Sequence, residues 1–157
     1  MSSIASLAAN GTARTLAAGE VLIAEGEAGG HLYVLEDGQL TVERSGIALA
    51  TISQPNSLVG EMSVLLGTRN SATVRAVGDV HLREIADAAA KLKADPELAF
   101  SIATLLAARL ETTSAFLVNL SQQHPDTTEP GFWSKVFTAL TSPSEAELGV
   151  VMRHDLF

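Results

Sequence analysis

The stretch Val59-Gly60-Glu61-Met62-Ser63-Val64-Leu65-Leu66-Gly67-Thr68-Arg69-Asn70-Ser71-Ala72-Thr73-Val74-Arg75 carries the most specific chemistry in the chain. Gly60 to Leu66 has none of the alternation seen on either side of it and reads as a short helix. A helix starting near Gly60-Glu61 points its unpaired backbone N–H groups outward, where an anion can meet them. Gly60 and Ser63 are small, so a ligand can approach the backbone closely. Glu61 is an odd neighbour for an anion, but a carboxylate accepts hydrogen bonds from a hydroxyl such as a sugar offers.

Outward from this stretch, residues 19–86 read as short strands. Val21–Ala24, Leu32–Glu36, Leu40–Arg44, Ile47–Ile52, Ser71–Ala76 and Val80–Ile85 carry β-branched or alternating apolar residues, and glycines punctuate them. Asp37-Gly38, between two apolar runs, predicts a hairpin turn. Strands this short and close predict an antiparallel sandwich, roll or barrel. Residues 1–18 read as a helical lead-in, with Ile4, Leu7 and Ala8 on one side and Asn10-Gly11 as its end.

After residue 86 the period changes. Asp87–Ala94 reads as helical, and Asp95-Pro96 as the start of a longer helix, with Asp as N-cap and Pro at the first helical position. Ala99, Ala103, Leu106, Leu110, Thr113, Leu117 and Leu120 then repeat with heptad spacing, which predicts a homodimer through helix 96–123. A neighbouring stripe, Leu98, Ile102 and Leu105, faces the β unit in this reading. Residues 124–157 read as a linker and a helical tail. Phe132, Trp133, Val136, Phe137 and Leu140 mark one side of a short helix, and Ser142-Pro143-Ser144-Glu145 is a capping box for a second. The tail 131–157 is a candidate surface for a protein partner.

The composition narrows the function. Ten Lys plus Arg against eighteen Asp plus Glu give a net charge of −8, which argues against nucleic acid and against an anionic membrane surface. There is no cysteine, hence no disulfide scaffold, thiol nucleophile or Cys-based metal site, and a cytoplasmic location is expected. The most apolar helical stretch, Leu98 to Ala108 between Glu97 and Arg109, falls short of the ~20 residues of a membrane span, and the N-terminus is a poor secretion signal. The four histidines, at 31, 81, 124 and 154, are isolated, which predicts no metal site; His31 is expected on the surface. No nucleophile elbow, Walker loop, dinucleotide fingerprint or zinc-protease helix occurs, so an enzyme is not expected.

The quoted stretch resembles the phosphate-binding cassette of cyclic nucleotide-binding domains, roughly Phe-Gly-Glu-Leu/Met-Ala/Ser-Leu, a variable turn, then Arg-Ser/Ala-Ala-Thr. Gly19-Glu20, Glu25-Gly26-Glu27, Leu32-Tyr33-Val34-Leu35 and Gly38-Gln39-Leu40 resemble further signatures of that family, and the resemblance covers about residues 16–123. It implies an antiparallel β-roll (a jelly roll, or double-stranded β-helix) followed by a long C-terminal helix and short tail helices. The domains implied are a lead-in over 1–18, a binding domain over 19–123 (β-roll 19–86, helices 87–123) and a tail over 124–157. The implied ligand is a cyclic nucleotide, cAMP before cGMP, with no other cofactor. The ligand-binding residues carried over are Gly60, Glu61, Met62, Ser63, Arg69, Asn70, Ser71, Ala72 and Thr73. Arg109-Leu110-Glu111-Thr112-Thr113-Ser114 resembles the dimer helix of the catabolite activator protein branch, which implies Thr113 and Ser114 as base contacts, the Ser reaching in from the other subunit.

One departure stands out. In register with Ser71-Ala72-Thr73, the family's phosphate-binding Arg falls at Asn70, with Arg69 one residue earlier. Loss of a guanidinium from a cyclic phosphate costs about 1.5–3 kcal/mol, or roughly ten- to a hundredfold in affinity. Either Arg69 takes the role through an altered turn, or nucleotide affinity is lost and the fold serves as a dimeric interaction adaptor. Val59, where the family prefers Phe, is a milder departure. The 34 residues after Gln123 are too few for the family's winged DNA-binding domain and hold two basic residues, Lys135 and Arg153. The leading expectation is a stand-alone sensor domain that relays binding through its C-terminal helices.

Overall fold

The computed structural model describes residues 3–125 and 131–141. The chain divides into two compact units, Met1–Ser101 and Ile102–Phe157.

The first unit is built on eight strands: β1 (Thr12–Leu16), β2 (Val21–Ile23), β3 (Leu32–Asp37), β4 (Leu40–Arg44), β5 (Ile47–Ile52), β6 (Leu58–Val59), β7 (Thr73–Ala76) and β8 (Val80–Ile85). They form two antiparallel four-stranded sheets, in the orders β1-β8-β3-β6 and β2-β7-β4-β5. The core lies between them. Leu16, Tyr33, Leu35, Val59, Val80 and Leu82 come from the first sheet, and Leu22, Ile23, Leu40, Val74 and Ala76 from the second. Leu32 and Val34, on the other face of β3, are equally buried. Three short helices belong to this unit: α1 (Ile4–Ala9) packs on β8, and α2 (Glu61–Leu66) contacts both β3 and α3 (Ala88–Ala94). The β-roll fold expected from the resemblance is the fold observed.

Three details differ from the sequence reading. Residues 12–16, read as part of the lead-in, form β1 and pair with β8. Arg14 sits opposite Leu82, which in turn sits opposite Leu35 in the core. The inward position of the strand is thus filled by a cation, and the usual apolar alternation is hidden. The two-residue strand β6 is too short to show a period. Asp37-Gly38 does turn the chain, but β3 and β4 lie in different sheets, so it is a crossover and not a hairpin. Gly38 has φ 99°, and a Cβ there would press on Val80 and the Asp79 carbonyl. The tight hairpin is β4–β5, where Ser45 (φ 51°) and Gly46 (φ 76°) supply the two positive φ values of a type I′ turn.

The helix α4 (Pro96–Gln123) opens as the sequence predicts. The Asp95 carboxylate Oδ1 accepts from the Leu98 N–H at 3.0 Å. Leu98 and Ile102 are buried. Of the heptad stripe, Leu106, Leu117 and Leu120 are half-buried, while Ala103, Leu110 and Thr113 are exposed. Over 28 residues, with a mean hydropathy of 1.2 in its most apolar window, α4 is long and apolar enough to cross a membrane. Arg109 and Glu111, near its middle, are charges that a bilayer interior disfavours. In the second unit, α5 (Phe132–Thr141) carries an aromatic cluster: Trp133 meets Phe132 edge-on at 5.1 Å and stacks on Phe137 at 6.3 Å between ring centres. Its indole N–H donates to the His124 carbonyl at 3.2 Å. The capping box at Ser142–Glu145 lies outside the described residues.

The capped start of α4 gives a simple test. Asp95→Ala removes the acceptor for an otherwise unpaired N–H and should cost about 1 kcal/mol, read as a fall in thermal midpoint of about 3 °C. An unchanged midpoint would show that the cap contributes nothing.

Candidate functional site

The only buried polar or charged residues among the described ones, Glu61 and Ser63, both lie in α2. Gly60 opens this helix in the left-handed region, with φ 89°. A Cβ at Gly60 would overlap the His31 carbonyl oxygen. The residue is therefore fixed twice, by its dihedral and by the approach of a second chain segment.

Ser63 holds that segment. Its hydroxyl donates to the Gly60 carbonyl at 3.1 Å and accepts from the Gly30 N–H at 3.1 Å. A Cβ on Gly29 would overlap both Thr68 and Ser63. The sequence reading gave Gly29-Gly30 no role beyond punctuation, yet the pair lets the β2–β3 loop lie flat on α2. Met62, by contrast, points outward and is half exposed. The helix ends at Gly67, again left-handed (φ 63°), whose N–H returns to the Ser63 carbonyl.

After the helix, residues 69–73 are laced to loop 24–28. Asn70 donates from its backbone N–H to Glu27 at 3.0 Å and accepts from the Gly26 N–H at 2.9 Å. Its side-chain Nδ2 donates to the carbonyls of Ala24 at 3.2 Å and Ala28 at 3.3 Å. Both amide hydrogens are thus committed to the loop. Arg69 is exposed, and its Nη1 donates to the Gly26 carbonyl at 2.9 Å. The Thr73 hydroxyl accepts from the Glu25 N–H at 3.0 Å, and the Glu25 carboxylate accepts from the Ser45 N–H at 2.9 Å. Ser71 and Ala72 complete the turn and stay outside β7, which begins at Thr73 rather than Ser71.

The structure therefore brings Gly60, Glu61, Met62, Ser63, Arg69, Asn70, Ser71, Ala72 and Thr73 into one contiguous segment joined to the β2–β3 loop. Thr113 and Ser114 lie on α4 in the second unit. The Thr113 hydroxyl donates to the Arg109 carbonyl at 2.8 Å and keeps lone pairs as acceptors.

A second polar group, missed by the sequence reading, lies near the Gly60 end of the cassette. Arg14 Nη1 is 3.4 Å from both the Tyr33 hydroxyl and Glu84 Oε2, and its guanidinium lies over the Tyr33 ring. Exposed His31 reaches Glu84 Oε1 at 3.7 Å. Burial pushes the Tyr33 phenol above its ordinary pKa; the Glu84 charge adds to this and Arg14 opposes it. Among the described residues no cluster of potential metal ligands occurs.

The buried polar residues of this β-roll thus gather on one glycine-opened turn of helix. The family model described as the cyclic nucleotide-binding domain matches residues 13–91, and the chain belongs to that family. It is 37% identical over 65 residues to the cGMP-dependent protein kinase egl-4 of Caenorhabditis briggsae; the match covers 41% of this chain and 8% of the kinase, so the chain spans under a tenth of that relative's length. The N-terminal domain of a transcriptional regulator from Streptomyces coelicolor A3(2) is 32% identical, with a TM-score of 0.54, over 69% of this chain and 82% of that one. The cAMP-bound PfPKA-R shares the fold at 22% identity and a TM-score of 0.56, over 70% of this chain and 37% of that one.

Two outcomes follow. Gly60→Ala must strain a left-handed residue and push back the His31 carbonyl; a loss of at least about 2 kcal/mol is expected in chemical denaturation. Tyr33 is the chain's one tyrosine, so phenolate absorbance reports it alone. Its midpoint in the folded protein should lie above that of the unfolded chain, about 10. A raised acid pKa means that the unfolded state loses this proton first as pH rises, so stability is intact below about pH 10 and falls above it. Tyr33→Phe should remove that part of the alkaline loss.

Proposed function

We propose that the chain is a regulatory domain that binds a purine cyclic nucleotide in the cassette formed by Gly60–Ser63 and Arg69–Thr73, cAMP ahead of cGMP. The observation that carries this reading is the burial of Glu61 and Ser63 on a turn opened by left-handed Gly60, inside the segment that the family model matches. Glu61 accepts hydrogen bonds from the ribose hydroxyl, and the small residues Gly60 and Ser63 admit the sugar phosphate to the backbone. Thr113 and Ser114 contact the base, with Ser114 supplied by the other copy of a homodimer paired through helix 96–123. The exposed Leu110 and Phe116 on α4 support a helix that has a partner. The binding domain then runs from β1 through α4, and α4 relays occupancy toward the tail at 131–157, where a protein partner docks. The relay needs the tail to bind differently with and without ligand, since equal binding transmits nothing. The role is sensing in the cytoplasm rather than catalysis.

Titration calorimetry with cAMP and cGMP tests the reading. Saturable heat is expected with cAMP, and a thermal shift should accompany it, since ligand at a hundred times Kd adds about 2.7 kcal/mol to the native state. No heat with either nucleotide up to millimolar concentration removes the proposal.

One observation favours a second reading. Asn70, at the family's arginine position, has both amide hydrogens spent within the protein. A nucleotide-free dimeric adaptor fits that fact, and for it the tail would capture its partner with no nucleotide present.

A further inference from the structure

Three observations bear on what the cassette recognises in its ligand. First, the side chain at the family's arginine position is a neutral amide. It holds the carbonyls of Ala24 and Ala28, so Asn70 positions the β2–β3 loop and offers no hydrogen to a ligand. Second, Arg69 lies on the exposed side of the turn with Nη1 on the Gly26 carbonyl. A solvated guanidinium gains little from a further anion, because water and salt screen it. Third, the surrounding sequence is acidic. Between Arg14 and Arg69 the only Lys or Arg is Arg44, while Glu20, Glu25, Glu27, Glu36, Asp37, Glu43 and Glu61 fall in the same interval. A monoanionic phosphate set against residue 70 meets a neutral amide, with the solvent-exposed Arg69 as the neighbouring cation.

The parts suited to a sugar are intact. Glu61 is buried, and a carboxylate has enough lone pairs to accept from a ribose hydroxyl beside its existing partner. The backbone packs tightly at Gly29 and Gly60, and the Gly30 N–H is held by the Ser63 hydroxyl. The side chain at the charge-bearing position has thus changed, while the buried carboxylate and the glycines of the cassette remain.

We infer that the site takes the neutral purine nucleoside about as well as the cyclic nucleotide, with the phosphate contributing little to affinity. This rests on the proposed placement of the ligand in the cassette.

The test is calorimetric titration of the full chain with adenosine and, separately, with cAMP, for the wild type and for Arg69→Ala and Asn70→Arg. Adenosine should bind with a Kd within about threefold of that for cAMP, and Arg69→Ala should weaken cAMP by less than about threefold, since no charge-assisted bond is lost. Asn70→Arg should raise the preference for cAMP over adenosine by about tenfold or more, a ratio in which any loss from freeing the Ala24 and Ala28 carbonyls is common to both ligands. If that variant does not fold, the wild-type ratio decides alone. Binding of cAMP more than about thirtyfold tighter than adenosine, with the difference erased in Arg69→Ala, would overturn the inference and make Arg69 the phosphate anchor, leaving the cyclic-nucleotide reading intact. Failure of both ligands to bind overturns the inference together with the reading on which it rests.

Discussion

The lacing of loop 24–28 to residues 69–73 is the constraint on which the ligand-binding end of the roll depends. These segments are far apart in sequence and meet through backbone hydrogen bonds at Asn70, the amide of Asn70, the guanidinium of Arg69 and the hydroxyl of Thr73. On the other side of the short helix, Ser63 and the Gly29-Gly30 pair join the same loop to α2. The cassette is thus held at both ends by one loop, and its geometry follows from short, mostly neutral hydrogen bonds rather than from ion pairs. Each such bond contributes only about 1 kcal/mol, but together they fix a turn that no regular element supports.

The same arrangement explains how the chain can belong to the cyclic nucleotide-binding family without that family's arginine. An arginine extends toward a ligand, whereas Asn70 is short enough to turn back and satisfy two carbonyls of the adjoining loop. Through Glu25, which accepts from Ser45, the loop is tied in turn to the β4–β5 hairpin. A change in residue 70 therefore reaches, through this loop, the β4–β5 hairpin of the same sheet.

Much of this was legible in the sequence, for reasons that can be named. Leu40–Arg44 and Val80–Ile85 were found at their observed ends because one face of each meets the core, whereas Ile47–Ile52 was found by composition alone, since only its last residue, Ile52, packs on the core. Asp95-Pro96 marked a helix start because capping is a local interaction. β1 escaped because Arg14, stabilised by Glu84 and Tyr33, occupies an inward position where a pattern reading expects an apolar side chain. The Asp37-Gly38 turn was recognised as a turn, but whether a turn joins neighbours in one sheet or crosses between two depends on contacts far away in sequence. The cassette was recognisable by motif, whereas the commitment of Asn70 to Ala24 and Ala28 was not, since nothing local to Asn70 reveals which way its amide faces.

The contrast between Gly60 and Arg69 has a consequence for how such a domain diverges. Gly60 is locked by its own dihedral and by the neighbouring carbonyl of His31, so nearly every replacement there breaks the scaffold. Arg69 hangs on the outside of the turn from the Gly26 carbonyl, so a replacement there costs one exposed hydrogen bond and no backbone strain. Descendants of this chain can therefore explore new chemical tastes by single codon changes at the rim while the frame that displays them stays frozen.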